Sequence, residues 1–212
     1  LQLPDDVDAT SVKSVLSPRG TLNIRAMKKT VKLLFTFASV LAQSDPEESM
    51  TPGEMIEHWG YPLESYDIVT DDGYILSLLR IPHGRITEGA NSSCNRPPIL
   101  LIHGAFCHSA QWVINPPESS PGMILADAGF DVFLLSVRGT TYSQRHLNLS
   151  SNDRAFWRYT VDDMAKFDAP AAVDKVLQLN GASSLYLIGH SQVSIILKVL
   201  VKTKHNSRIN IV

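Results

Sequence analysis

Leu185-Tyr-Leu-Ile-Gly189-His190-Ser191-Gln192 is the stretch on which the reading of this chain turns. An apolar, β-prone run ends in Gly-His-Ser-Gln. That pattern belongs to a buried strand entering a sharp strand-to-helix turn, which lifts a serine hydroxyl above a parallel sheet. Gly189, two places before the serine, leaves room for the backbone to fold back on itself. The pattern asks for a second glycine two places after the serine, and Val193 stands there instead. A β-branched side chain where helix and strand nearly touch is expected to cost about 1–3 kcal/mol by overpacking.

A second apolar strand, Leu100-Leu-Ile-His103-Gly104-Ala105, also runs into a glycine turn. In the α/β-hydrolase pattern the loop after this strand supplies one backbone N–H to an oxyanion, and the residue after the nucleophile supplies the other. The donors here are the amides of Ala105 and Gln192, with Ser191 as the nucleophile. Backbone donors do not depend on side-chain identity. The His103 imidazole is assigned to the turn, hydrogen-bonded to backbone. His190 is excluded as the base for Ser191, because adjacent side chains of an extended segment point to opposite faces.

The remaining elements alternate as a sheet with covering helices requires. Thr51-Pro-Gly-Glu54 reads as a capped helix start, with the helix ending near Gly60. Ser65–Val69 and Tyr74–Arg80 form a hairpin across Asp71-Asp72-Gly73. Residues 84–97 form a polar loop. Ile99–Ile102 and Val132–Leu135 are continuous apolar runs of buried strands, separated by a helix over Met123–Ala128. Thr160-Val-Asp-Asp163 caps a helix that runs to about Leu179 with a break at Pro170. Asp162 and Asp163 are therefore read as a helix first turn. Arg138 is read as a loop anchor, and Trp112 and Trp157 as core or pocket wall. The fold class is α/β, parallel beyond an antiparallel edge.

Composition narrows the function. The chain has 212 residues, 44% of them hydrophobic, enough for one sizeable core. A net charge of −2 gives no electrostatic case for nucleic acid. Two cysteines, Cys94 and Cys107, do not make a disulfide framework. No histidine–cysteine grouping has zinc-site spacing, so no metal and no cofactor is assigned.

Residues 27–42 have the three parts of a secretory signal. Met27-Lys-Lys-Thr-Val-Lys32 is basic, Leu33–Leu41 is apolar but too short to span a bilayer, and Val40 and Ala42 are small. Residues 1–26 hold no methionine and are read as a non-native upstream extension, or else a mostly disordered one with little apolar periodicity. Asn91-Ser-Ser93 and Asn148-Leu-Ser150 are glycosylation sequons in predicted loops.

These motifs together resemble the acid lipase family, the group of the gastric and lysosomal lipases. Met50-Thr-Pro-Gly-Glu-Met-Ile-Glu-His-Trp-Gly60-Tyr-Pro and Val69-Thr-Asp-Asp-Gly73-Tyr-Ile-Leu-Ser-Leu-Leu-Arg80-Ile-Pro resemble its N-terminal lipase-associated segment. Leu125–Val132, Arg138–Ser143, Phe156–Pro170 and Gly189–Gln192 follow in the family's order. The resemblance implies a lipase-associated helix and hairpin over 50–83 and the first part of an α/β-hydrolase domain over 84–192. It implies hydrolysis of neutral lipid esters at a lipid–water interface through a serine acyl-enzyme, without a transmembrane span, in a secreted or lysosomal protein.

The resemblance weakens after Gln192. An acid and a histidine follow the nucleophile in this fold, but residues 193–212 hold no carboxylate and only His205. The sequence therefore reads as a fold truncated after its fifth strand, with an unpaired sheet edge and a divergent tail over 193–212. Gln-Val-Ser can be encoded as an exon end followed by a splice donor, which suggests a retained intron as the source of the tail, or else the tail is a real divergent helix, since Val193–Val201 is apolar enough to pack. On this reading the chain itself is an inactive fragment. The alternative is a non-catalytic remnant that binds lipid or a partner.

Overall fold

The computed structural model describes residues 12–16, 22–26, 46–85, 96–194, 196 and 206–211. The chain divides into two units, Leu1–Glu48 and Ser49–Val212. In the first, strands β1 (Val12–Leu16) and β2 (Leu22–Ala26) pair antiparallel from Val12↔Ala26 to Leu16↔Leu22. This differs from the extension without regular structure that the composition suggested. Backbone pairing needs no strong apolar alternation, and Val12, Val15 and Ile24 supply β-branched residues. Residues 27–42 and Asn91 lie outside the described residues.

The second unit is built on one mixed sheet. Its strands are β3 (Glu64–Val69), β4 (Tyr74–Ile81), β5 (Pro98–Ile102), β6 (Asp131–Ser136), β7 (Arg145–His146), β8 (Leu185–Gly189) and β9 (Ile209–Ile211). They run in the order β3-β4-β6-β5-β8-β9, with β7 paired to the start of β4. The β3, β4 and β6 pairings are antiparallel, and those from β6 through β5 and β8 to β9 are parallel.

Burial on both faces explains the apolar runs. Along β5, Ile99 and Leu101 face one core cluster while Leu100 and Ile102 face the other. Val132 and Leu134 of β6 join the first, Phe133 and Leu135 the second. Such period-two alternation puts apolar residues at every position when helices cover both faces. One face is covered by α1 (Pro52–His58) and α2 (Pro121–Asp127), through Met55, Ile56, Met123 and Ala126. The other is covered by α4 (Ala169–Asn180), whose buried Ala169, Ala172, Val173, Val176 and Leu177 make one apolar stripe.

The sequence signals at the helix starts correspond to real caps. The Thr51 N–H donates to Glu54 Oε2 at 2.7 Å, and the Glu54 N–H donates to Thr51 Oγ1 at 3.3 Å. Thr160 and Asp163 make the same reciprocal pair at the start of α3 (Val161–Asp163). The break at Pro170 takes a definite form. Met164–Asp168 is a π-helical turn, closed by an Ala169 N–H to Met164 carbonyl bond, that leads into α4. Proline has no N–H to offer the carbonyl four residues back and its ring crowds that turn, so a wider turn absorbs the mismatch.

Two expectations change in the folded chain, at the β8 edge and at Trp157. The β8 edge is not left open: Leu185, Tyr186 and Leu187 pair with Ile209, Asn210 and Ile211 of the segment read as a divergent tail. Trp112 is core, but Trp157 is 45% exposed, its indole N–H donating to the Ser151 carbonyl. Cys107 is a free, half-buried thiol.

Candidate active site

Ser191 follows β8 at the carboxyl edge of the parallel strands. Its φ is 53°, in the left-handed region that a side chain rarely enters. The turn is pinned on both sides. The His190 N–H donates to the Ile102 carbonyl at 3.1 Å, tying the end of β8 to the end of β5. The Val193 N–H donates to the His190 carbonyl at 3.2 Å and the Ser194 N–H to the Ser191 carbonyl at 3.0 Å, opening a helical turn. A buried strand, a left-handed serine and a helix start are the backbone features that a nucleophile elbow has. The Ser191 side chain is exposed.

Val193 does not crowd this turn in the way the sequence suggested. It is fully buried in the core cluster shared with α4. It fits because Gly189 has no side chain: a Cβ there would lie 2.2 Å from Val193 Cγ1. The valine occupies the space that the first glycine of the motif leaves.

The His103–Gly104 loop closes against the elbow. A Cβ on Gly104 would lie 2.5 Å from His190 Nδ1 and 3.4 Å from Ser191 Cβ, so a side chain at 104 would push the His190 ring aside. The Gly104 N–H donates to Gln111 Oε1 at 3.1 Å, and its carbonyl accepts from the Cys107 N–H at 3.3 Å, closing a turn over Ala105 and Phe106. Among the described residues, neither the Ala105 N–H nor the Gln192 N–H is given to an acceptor.

His103 is structural. Its Nε2 accepts the Val137 N–H at 3.1 Å, which leaves Nδ1 to carry the proton and donate to the Gly104 carbonyl at 2.8 Å. Burial lowers its pKa and favours this neutral form. The ring thus ties the loop after β5 to the end of β6. The His190 ring packs against Gly104, and His205 lies outside the described residues. The Gln192 amide group reaches Met164 Sδ at 4.0 Å, so the elbow touches the π turn. Asn148 is exposed, in the loop after β7.

Sequence reading missed the extent of the cluster beneath this edge. Arg138 is 1% exposed and bridges two carboxylates. Its Nη1 and Nη2 donate to Asp72 at 2.6 and 2.9 Å, while Nε and the backbone N–H donate to Asp168 at 2.8 and 3.0 Å. The guanidinium lies 4.0 Å from the centre of the Tyr74 ring. Burial raises the Asp168 carboxyl to about 6, against the pull of the Arg138 hydrogen bonds. The cluster joins the β3–β4 turn, the loop after β6 and the π turn. Asp72, Arg138 and Asp168 stand far apart in sequence, and nothing local marks them as partners.

The geometry agrees with the comparisons to known proteins. The model of the α/β-hydrolase fold matches residues 97–209, and that of the partial α/β-hydrolase lipase region matches residues 52–116. The chain belongs to the acid lipase family of α/β hydrolases. It is 49% identical over 154 residues to Lipase lipl-3 of Caenorhabditis elegans, covering 73% of this chain and 38% of that one. It is 45% identical over 161 residues to Lipase lipl-1 of the same organism, covering 76% and 40%. It is 45% identical over 152 residues to human lysosomal acid lipase/cholesteryl ester hydrolase, covering 72% and 38%. The chain therefore spans about two fifths of the length of these lipases. The fold match continues past Gln192 to residue 209, into the segment that the sequence alone read as divergent. Among the described residues no helix is long and apolar enough to cross a membrane.

Proposed function

We propose that this chain carries the nucleophile and oxyanion half of a serine ester hydrolase acting on neutral lipid esters, triacylglycerol or cholesteryl ester. The observation that carries the reading is Ser191 held at φ 53° beside Gly104, with the Ala105 and Gln192 amides unengaged among the described residues. A hydroxyl presented on a strained turn next to free N–H donors suits acyl transfer. The Ser191 Oγ attacks the ester carbonyl, and the two amides hold the oxyanion as it forms. The named relatives, which include a cholesteryl ester hydrolase, support an ester of this class. The base is assigned to a histidine, oriented by an acid, that follows the nucleophile in this fold. Residues 193–212 offer only His205 and no carboxylate, so no base is assigned within this chain.

The rest of the reading concerns delivery. Residues 27–42 act as a secretory signal, residues 50–83 are the lipase-associated segment, and residues 84–192 are the first part of the hydrolase domain. Asn91 and Asn148 carry glycans, and the product is secreted or lysosomal and works at a lipid–water interface. The test is hydrolysis of tributyrin and of a cholesteryl ester by this chain and by a form extended to the length of its relatives. The extended form should be active and lose that activity in Ser191→Ala, while this chain alone turns over negligibly. Hydrolysis by the extended form that survives Ser191→Ala overturns the assignment. N-terminal sequencing of the exported protein should find cleavage near Ala42; a mature product that begins within residues 1–26 overturns the signal.

A further inference from the structure

Phe106 is the second strained residue of the site. Among the described residues, only Phe106 and Ser191 combine a side chain with a positive φ, at 59° and 53°. Both lie in the loops that meet at Gly104. Phe106 takes the third position of the turn closed by the Cys107 N–H and the Gly104 carbonyl. With a positive φ, that position is one that glycine or asparagine normally fills. Its ring is also fully exposed, more than any other large apolar side chain among the described residues. Among the described residues, Phe106 therefore combines an unfavourable backbone with an aromatic ring left in solvent. Such outliers gather where a ligand is held.

We infer that Phe106 is a specificity-determining residue that receives the hydrocarbon chain of the ester's acyl group. The inference rests on the proposed hydrolase reading, since it takes the Ala105 amide as the oxyanion donor. Phe106 is the next residue along, so its Cα is about 3.8 Å from that of Ala105. On the proposed reading, a carbonyl held by the Ala105 amide begins its chain beside this residue. The occupant is apolar because the ring offers only an apolar surface. A short acyl group ends before it can cover that surface; a longer one covers it.

The test measures binding without requiring turnover. Octanoate and butyrate, below micellar concentrations, are titrated into the full chain and followed by ligand-observed saturation-transfer NMR. Octanoate should bind with saturation concentrated on its outer methylenes, and butyrate much more weakly. Phe106→Ser should weaken octanoate at least about tenfold and leave butyrate nearly unchanged, while Phe106→Leu restores most of the loss. Circular dichroism of each variant checks that the fold is intact, as expected for an exposed side chain. No octanoate binding by the wild-type chain, or binding within twofold of wild type in folded Phe106→Ser, overturns the inference. The hydrolase reading fails separately: if the extended form shows no Ser191-dependent hydrolysis while Phe106-dependent octanoate binding persists, the chain is an apolar-ligand binder and the reaction assignment falls.

Discussion

Gly189→Ala should be the most damaging single methyl that can be added near the elbow. An added Cβ would lie 2.2 Å from Val193 Cγ1 and 2.6 Å from Val193 Cβ. Comfortable carbon contacts need about 3.5–4.0 Å. Turning the valine about χ1 moves the methyls but not its Cβ, so the helix start itself must move about 1 Å away from β8. The shift also strains the His190–Ile102 bond that ties β8 to β5. Overpacking of this kind costs about 2–3 kcal/mol. For a domain of this size that corresponds to a melting temperature lower by roughly 5–10 °C. Val193→Gly alone empties buried space and should cost about 2–3 kcal/mol. The double variant exchanges the two side chains across one contact, so its cost should fall about 2 kcal/mol below the sum. Urea unfolding followed by tryptophan fluorescence measures all three. Gly189→Ala within 0.5 kcal/mol of wild type, or strict additivity in the cycle, would refute the claim that the missing side chain at 189 makes room for Val193.

Three further outcomes follow from other parts of the fold. Asp168 is raised to about 6 in the folded chain, above the ordinary carboxyl value near 3.9, so the folded state binds its proton more tightly than the unfolded state does. Stability from this group is therefore gained as pH falls through 6, is fully present below about 3.9 and is lost as pH rises. Subtracting the pH profile of Asp168→Asn from that of wild type should isolate the slope, and identical profiles between pH 6 and 4 would contradict it. Ser191→Gly should stabilise the chain by about 1 kcal/mol, because glycine takes the left-handed conformation without penalty; a lower melting temperature would remove strain from the account of the elbow. Thr51→Ala removes one side of the capping box and should cost about 1 kcal/mol in urea unfolding, so an unchanged midpoint would mean that the cap contributes nothing.

How much of this was legible in sequence depends on the range of the interaction. The β5 and β6 runs, the hairpin across Asp71-Asp72-Gly73 and both capping boxes follow from neighbours within a few residues, and each appears where its pattern placed it. Gly104 and Ser191 could be named from motifs because the turns they require are local. The unpaired edge expected after Leu185–Ile188 was not found, because β9 comes from a segment with no strand pattern of its own strength. Phe106 carried no signal at all, since nothing in His-Gly-Ala-Phe announces a positive φ at the phenylalanine.

The sequence by itself determined the strand and helix pattern, the serine turn and the family, because these rest on periodicity, capping and contiguous motifs. Only the tertiary structure decided what those residues meet. It brought Asp72 and Asp168 to Arg138, set Gly104 against His190 and Ser191, fitted Val193 into the space beside Gly189 and left the Phe106 ring in solvent. The physical reason is that such contacts join residues tens of positions apart. The energy of each depends on the fold that delivers its partner, and the local chain carries no record of that.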